Sequence, residues 1–147
     1  MAGFLFQTGV RKLAVGDIDW NTSTIKLILM KKGAGASLDQ DTHDFFDDIK
    51  VGKRAGAADK IVTITGSTDM GTPNRVLLKA TVTSVTFNTV STDSIEGYVI
   101  YKESGGASNT DPLLAYNTLT SIVDSDGGSF KVTFDSDGLI RMSFANV

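Results

Sequence analysis

Cysteine is absent from the 147 residues, and histidine occurs once, at His43. The first absence removes disulfides, thiolate metal sites and thiol nucleophiles together, and it fits a reducing compartment. The second leaves zinc a single imidazole supplemented by carboxylates, and it leaves a catalytic triad one possible base. No stretch approaches the ~20 apolar residues of a membrane span. The opening "MAGFLFQTGVRKLAVG" lacks the charged head and long apolar run of a signal peptide. A soluble protein made in the cytoplasm, with no membrane contact, is therefore expected. The formal charge of -3 carries none of the broad basic excess that grips nucleic acid, so no direct nucleic-acid partner is expected.

Proline is scarce as well, at two residues, whereas glycine reaches fifteen. Glycines cluster between short apolar runs rich in Thr, Ser and Val, the composition of an all-β domain with many turns. A chain this long suits one domain with a real core, taken as 1–147, with 1–15 as a possible N-terminal helix or anchoring segment. In "FLFQTGVRKLA", Phe6, Val10 and Leu13 fall at i, i+4, i+7 and suit a short amphipathic helix, although Gly9 in its middle costs about 1 kcal/mol against alanine. Ile18 and Trp20 sit in a turn. "TIKLILM" (24–30) is apolar on both faces, as in a strand covered on both sides. Further strands are expected at 60–66, within 75–90 with Val85 and Phe87 on one side, and at 94–104, where Ile95, Val99 and Tyr101 alternate with Glu96, Tyr98, Ile100 and Lys102. Others are expected at 112–122, at Phe130–Phe134 and around Ile140, Met142 and Phe144. "DSDGG" and "DSDG" separate the last three, and Asp-Gly is a strong hairpin signal. The stretches 31–37, 50–59 and 104–111 read as flexible loops, and "STDMGTPN" (67–74) as a turn. Seven or eight short strands at this spacing predict a mostly-β fold, a β-sandwich or jelly-roll-like single domain with one or two short helices near the N-terminus.

The segment "LDQDTHDFFDDI" (38–49) places His43 among five aspartates. Its spacing does not match the D-x-[DN]-x-[DN]-G calcium loop. A helix start accounts for it better: Asp41 as N-cap, Asp44 three residues on, Phe45 and Ile49 facing inward, Asp47 and Asp48 facing water. Lys50, Lys53 and Arg54 follow, where positive charge is favoured. No serine lies in a G-x-S-x-G elbow. "KKGAGAS" resembles a phosphate loop only superficially, since its lysines precede the glycines. A non-enzymatic chain is expected, with no catalytic residue, cofactor or metal.

Several blocks occur in order: "GDIDWNTSTIKLILM", "LDQDTHDFFDDI", "VTFNTVSTDSIEGYVIYKESGGASNTDPLLAY" and "GGSFKVTFDSDGLIRMSF". Together they resemble a group of small virion structural proteins of tailed bacteriophages. That pattern runs G-x-I-D-W, I-K-[VL]-x-L, D-x-D-T-H-[DE]-F, V-[IV]-Y-[KD], P-L-[IL]-A-Y and F-x-[IV]-T-[FW]-D-x-x-G-[IL]. The resemblance covers roughly residues 10 to 145 and departs from the pattern between 50 and 80. It implies a head decoration or cement protein on the outer surface of the capsid, clamping neighbouring major capsid subunits and acting as a homo-oligomer, most simply a dimer or trimer. A tail or fibre accessory that binds a host receptor or glycan is the alternative, with Trp20, Tyr98, Tyr101 or Tyr116 stacking on sugars or, more plainly, packing in the core. The interface candidates are the apolar Phe4, Leu5 and Phe6, which would anchor to the capsid or pack on the domain's own core, and the basic Lys50, Lys53 and Arg54.

Overall fold

A computed structural model describes residues 3–55, 62–64, 66–69, 75–88, 90 and 93–143; side chains are not described at 62–64, 66–69, 75 and 143. Residues 56–60 of the basic stretch, 70–74 of the expected turn, and Phe144 lie outside the described residues.

The strongest apolar run in the sequence becomes a strand covered on both faces. Strand β2 (Ile25–Lys31) sits inside a five-stranded sheet and is buried at Ile25 and from Leu27 to Met30. On one face Ile25, Leu27 and Leu29 join the larger core; on the other Ile28 and Met30 join a second, smaller one. The remaining members are β1 (Gly3–Leu5), β3 (Val62–Ile64), β7 (Ser94–Lys102) and β8 (Leu113–Asp124), in the order β1-β8-β7-β2-β3. Every registered pair is antiparallel. Two smaller sheets, β10-β5-β4 and β6-β9, are built from β4 (Gly66–Asp69), β5 (Arg75–Ala80), β6 (Ser84–Phe87), β9 (Phe130–Thr133) and β10 (Ile140–Ser143). Leu78, Val85, Phe87, Phe130, Val132 and Ile140 from these sheets pack into the larger core against the five-stranded sheet. The mostly-β expectation is met, with sheets of five, three and two strands.

The second core is capped by the N-terminal segment and by the stretch around 34–49, through Phe6, Ala34, Phe46 and Ile49. Helix α1 (Gln7–Ala14) carries basic Arg11 and Lys12 in its last turn, where they complement the carbonyl end. The helical expectation holds there, but Val10 is 38 % exposed instead of inward. The inward contact is made by the residue that weakened the expectation. A Cβ on Gly9 would lie 2.3 Å from the Leu113 carbonyl oxygen and 2.7 Å from Leu114 Cα, so glycine lets the helix lie directly on β8.

Other expectations need correction. Ile95 joins the larger core with Tyr98 and Ile100, while Val99 and Tyr101 face the smaller one. A register shift between Ile95 and Gly97 reverses the phase of the alternation. The Asp-Gly turns take the positive φ expected, 86° at Gly127 and 85° at Gly138, but neither closes a hairpin. They join β8 to β9 and β9 to β10, and these strands pair elsewhere: β9 with β6, β10 with β5. Turn chemistry fixed the local bend, and the sheets the strands enter fixed their partners.

Candidate functional site

The aspartate-rich segment is not an α-helix. Asp39 Oδ1 accepts the amides of Asp41 (2.8 Å) and Thr42 (3.2 Å), and Asp48 Oδ2 accepts those of Asp44 (2.8 Å) and Phe45 (2.9 Å). Short side chains thus satisfy the amides that a helix would have used, the competition that keeps aspartate out of helix interiors. What remains is a turn at 39–43 and a single 3₁₀ turn, Phe46–Asp48. The i, i+3 spacing of that turn buries Phe46 and Ile49, not Phe45. The amides donated to Asp39, chiefly that of Asp41, hold its carboxyl below the ordinary range.

His43 is part of this bracing. Its Nδ1 accepts the Asp39 amide at 2.8 Å, and its own amide donates to the Asp39 carbonyl at 3.0 Å. No group of three or more His, Cys, Asp or Glu suited to a metal occurs among the described residues. The segment is sewn to its neighbours. Thr8 Oγ1 donates to Asp44 Oδ1, the Gln7 amide to the Gln40 carbonyl (3.0 Å), the Phe46 amide to Asp111 (2.9 Å) and the Leu113 amide to Asp44 (3.0 Å). The Asp44 side chain and the backbone of the segment therefore tie α1, the 39–48 segment and the start of β8 into one unit, while Asp39 and His43 brace the turn itself.

The Gly-rich loop after β2 is ordered too, against the expectation of flexibility. Glu96, on β7, accepts the amides of Gly33 (2.8 Å) and Gly35, and the Tyr116 hydroxyl at 3.0 Å. Burial pushes the Glu96 carboxyl up, but the Gly35 and Gly33 amides and the Tyr116 hydroxyl outweigh it and hold it low. Tyr116 is pushed up, by burial first and then by the Glu96 charge. The loop amides that would cradle a phosphate are occupied by the chain's own carboxylate. Loop 104–111 is similarly closed, with Asp111 Oδ1 accepting the Ser104 amide and hydroxyl, both at 2.7 Å.

The interface candidates separate into two kinds. Phe6 is fully buried, and Phe4 packs edge-on against it at 5.2 Å and against Tyr116 at 5.5 Å. Phe4 and Leu5 lie in β1, half-buried, at the edge of the five-stranded sheet. Arg54 is turned inward: its Nη2 donates to the carbonyls of Phe46 (2.9 Å) and Ile49 (2.6 Å), and the guanidinium lies 4.1 Å over the Phe46 ring. Burial lowers its pKa. Lys50 remains exposed and Lys53 partly exposed, on the 3₁₀ turn Val51–Lys53. Trp20, Tyr98, Tyr101 and Tyr116 are all buried, at 0–3 % exposure, and offer no ring to a sugar. Tyr98 and Tyr101 are pushed up by burial, Tyr98 to about 12.

Sequence reasoning missed Glu96 and the structural use of Arg54. Glu96 holds amides more than sixty positions away, and no local pattern announces such a pairing. No helix among the described residues is long and apolar enough to cross a membrane. Comparison of the chain with protein-family models, with curated proteins and with solved structures returns no match.

Proposed function

We propose that the chain is a structural component of a tailed-phage virion, a decoration or cement protein on the outer surface of the head that stabilises contacts between major capsid subunits. The observation that carries this reading is how the chemistry-bearing residues are used. In the D-x-D-T-H-[DE]-F block, the feature most suggestive of a metal or catalytic site, Asp39, His43 and Asp44 bond the chain's own backbone and Thr8. Glu96 does the same for the Gly-rich loop. Residues spent on bracing suit a protein whose task is mechanical. Closed loops also suit a clamp, because surfaces ordered before docking avoid the entropy of ordering on contact.

The tail-accessory alternative loses the part of its support that rested on stacking aromatics, since all four named rings are buried. The test is to assemble heads with and without the protein and challenge both with heat and osmotic shock. Heads lacking it should release DNA under milder treatment; equal resistance removes the cement role.

A further inference from the structure

Val51 is 73 % exposed, the most exposed large apolar side chain among the described residues. It stands between Lys50 and Lys53, neither of which makes an ion pair among the described residues. The tip is held firmly from behind. The Lys53 amide donates to the Lys50 carbonyl (2.9 Å), the Arg54 amide to Val51 (3.1 Å) and the Ala55 amide to Leu29 on β2 (2.8 Å). Arg54 also bridges to Met30 and grips the two carbonyls of the preceding turn. An apolar side chain flanked by two cations that are unpaired among the described residues, on a pre-ordered turn, has the make-up of a docking contact whose partner offers carboxylates.

The adjoining segment supplies such carboxylates. Asp39, Asp44 and Asp48 are engaged in hydrogen bonds, but Asp41 and Asp47 are exposed and make no ion pair among the described residues. We infer that residues 41–53 form a self-complementary surface: the Lys50–Val51–Gly52–Lys53 knob of one copy docks on the Asp41 and Asp47 carboxylates of a second copy. A two-fold arrangement makes this contact twice, knob to carboxylates in both directions. The inference rests on the proposed decoration role, for which the resemblance implies a homo-oligomer, and gives that oligomer a surface.

The experiment is sedimentation of the purified chain over a range of concentrations, at low salt and at about 0.5 M salt, where charge pairing is screened. Association should weaken with salt. Lys50→Glu with Lys53→Glu, and separately Asp41→Lys with Asp47→Lys, should each weaken it about tenfold or more. An equimolar mixture of the two reversed chains should associate again, because each knob then meets carboxylates or lysines of opposite sign on its partner. Circular dichroism and melting check that both variants fold, and Lys50→Gln with Lys53→Gln repeats the test without introducing new charge. A chain that stays monomeric overturns the inference and leaves head decoration to be decided on particles. Association indifferent to the lysine reversal, or a mixture that fails to re-associate, overturns it equally.

Discussion

Replacing Gly9 with alanine sets two physical effects against each other, and their signs differ. In an isolated helix the change is favourable by about 1 kcal/mol, because alanine gives up less backbone entropy than glycine. Here the new methyl would stand 2.3 Å from the Leu113 carbonyl oxygen and 2.7 Å from Leu114 Cα. Both are backbone atoms of a strand paired on two sides, with β1 and with β7, so neither can rotate away as a side-chain tip would. The helix must lift from β8, straining the Thr8–Asp44 and Gln7–Gln40 hydrogen bonds and loosening Phe6 in the smaller core. Contacts this close to backbone put the overpacking at the upper end of about 1–3 kcal/mol, from which the propensity gain of about 1 kcal/mol is subtracted. For a chain of this size, a net loss of about 2 kcal/mol lowers Tm by roughly 4–8 °C. Urea unfolding of both proteins, with a shared m value, measures the difference. A Gly9→Ala chain as stable as the parent, or more so, would refute direct helix–strand packing.

Two further outcomes follow from the bracing. Glu96 has a folded pKa below its unfolded value, so its contribution is present above the unfolded pKa and is lost as pH falls through the folded one. Because the carboxylate is only half-buried, solvent screening keeps the effect small, under about 1 kcal/mol. Glu96→Gln should flatten the acid limb of stability as pH falls through and below the ordinary glutamate range, with faster hydrogen exchange at the Gly33 and Gly35 amides, whereas an unchanged acid limb would contradict the role. Arg54→Lys replaces a group bonded to two carbonyls and stacked on Phe46 by a point charge without that planar geometry. It should cost about 1–3 kcal/mol in denaturant unfolding; a loss within error would mean that the stretch from 46 to 54 holds without it.

How much could be read from the sequence varied with the range of the interaction involved. The two-sided apolar run of β2 announced a strand covered on both faces, and that is where it lies. The pairs Val85/Phe87 and Phe130/Val132 pointed to one face each, and all four are buried. Alternation failed at Ile95, because a bulge is a property of the partner strand as much as of its own residues. The Asp-Gly turns were legible as turns but not as connections between sheets, since φ is local and strand pairing is not. In the 38–49 segment the aspartates suit N-caps and so predict a helix start. They do bind amides, but so many side chains doing so replaced the helix instead of starting it. The long-range grips of Glu96 on the 33–35 loop and of Trp20 Nε1 on the Lys79 carbonyl (2.7 Å) left no trace in the pattern.

The central claim is attachment to the head in many copies. Purified protein incubated with heads assembled without it, then pelleted and counted per particle, tests that claim directly. Saturation is expected at a copy number fixed by capsid symmetry, on the order of hundreds, with the bound copies arranged as symmetric oligomers. Saturation at a few copies, or no binding at all, would contradict it and move the role to the tail.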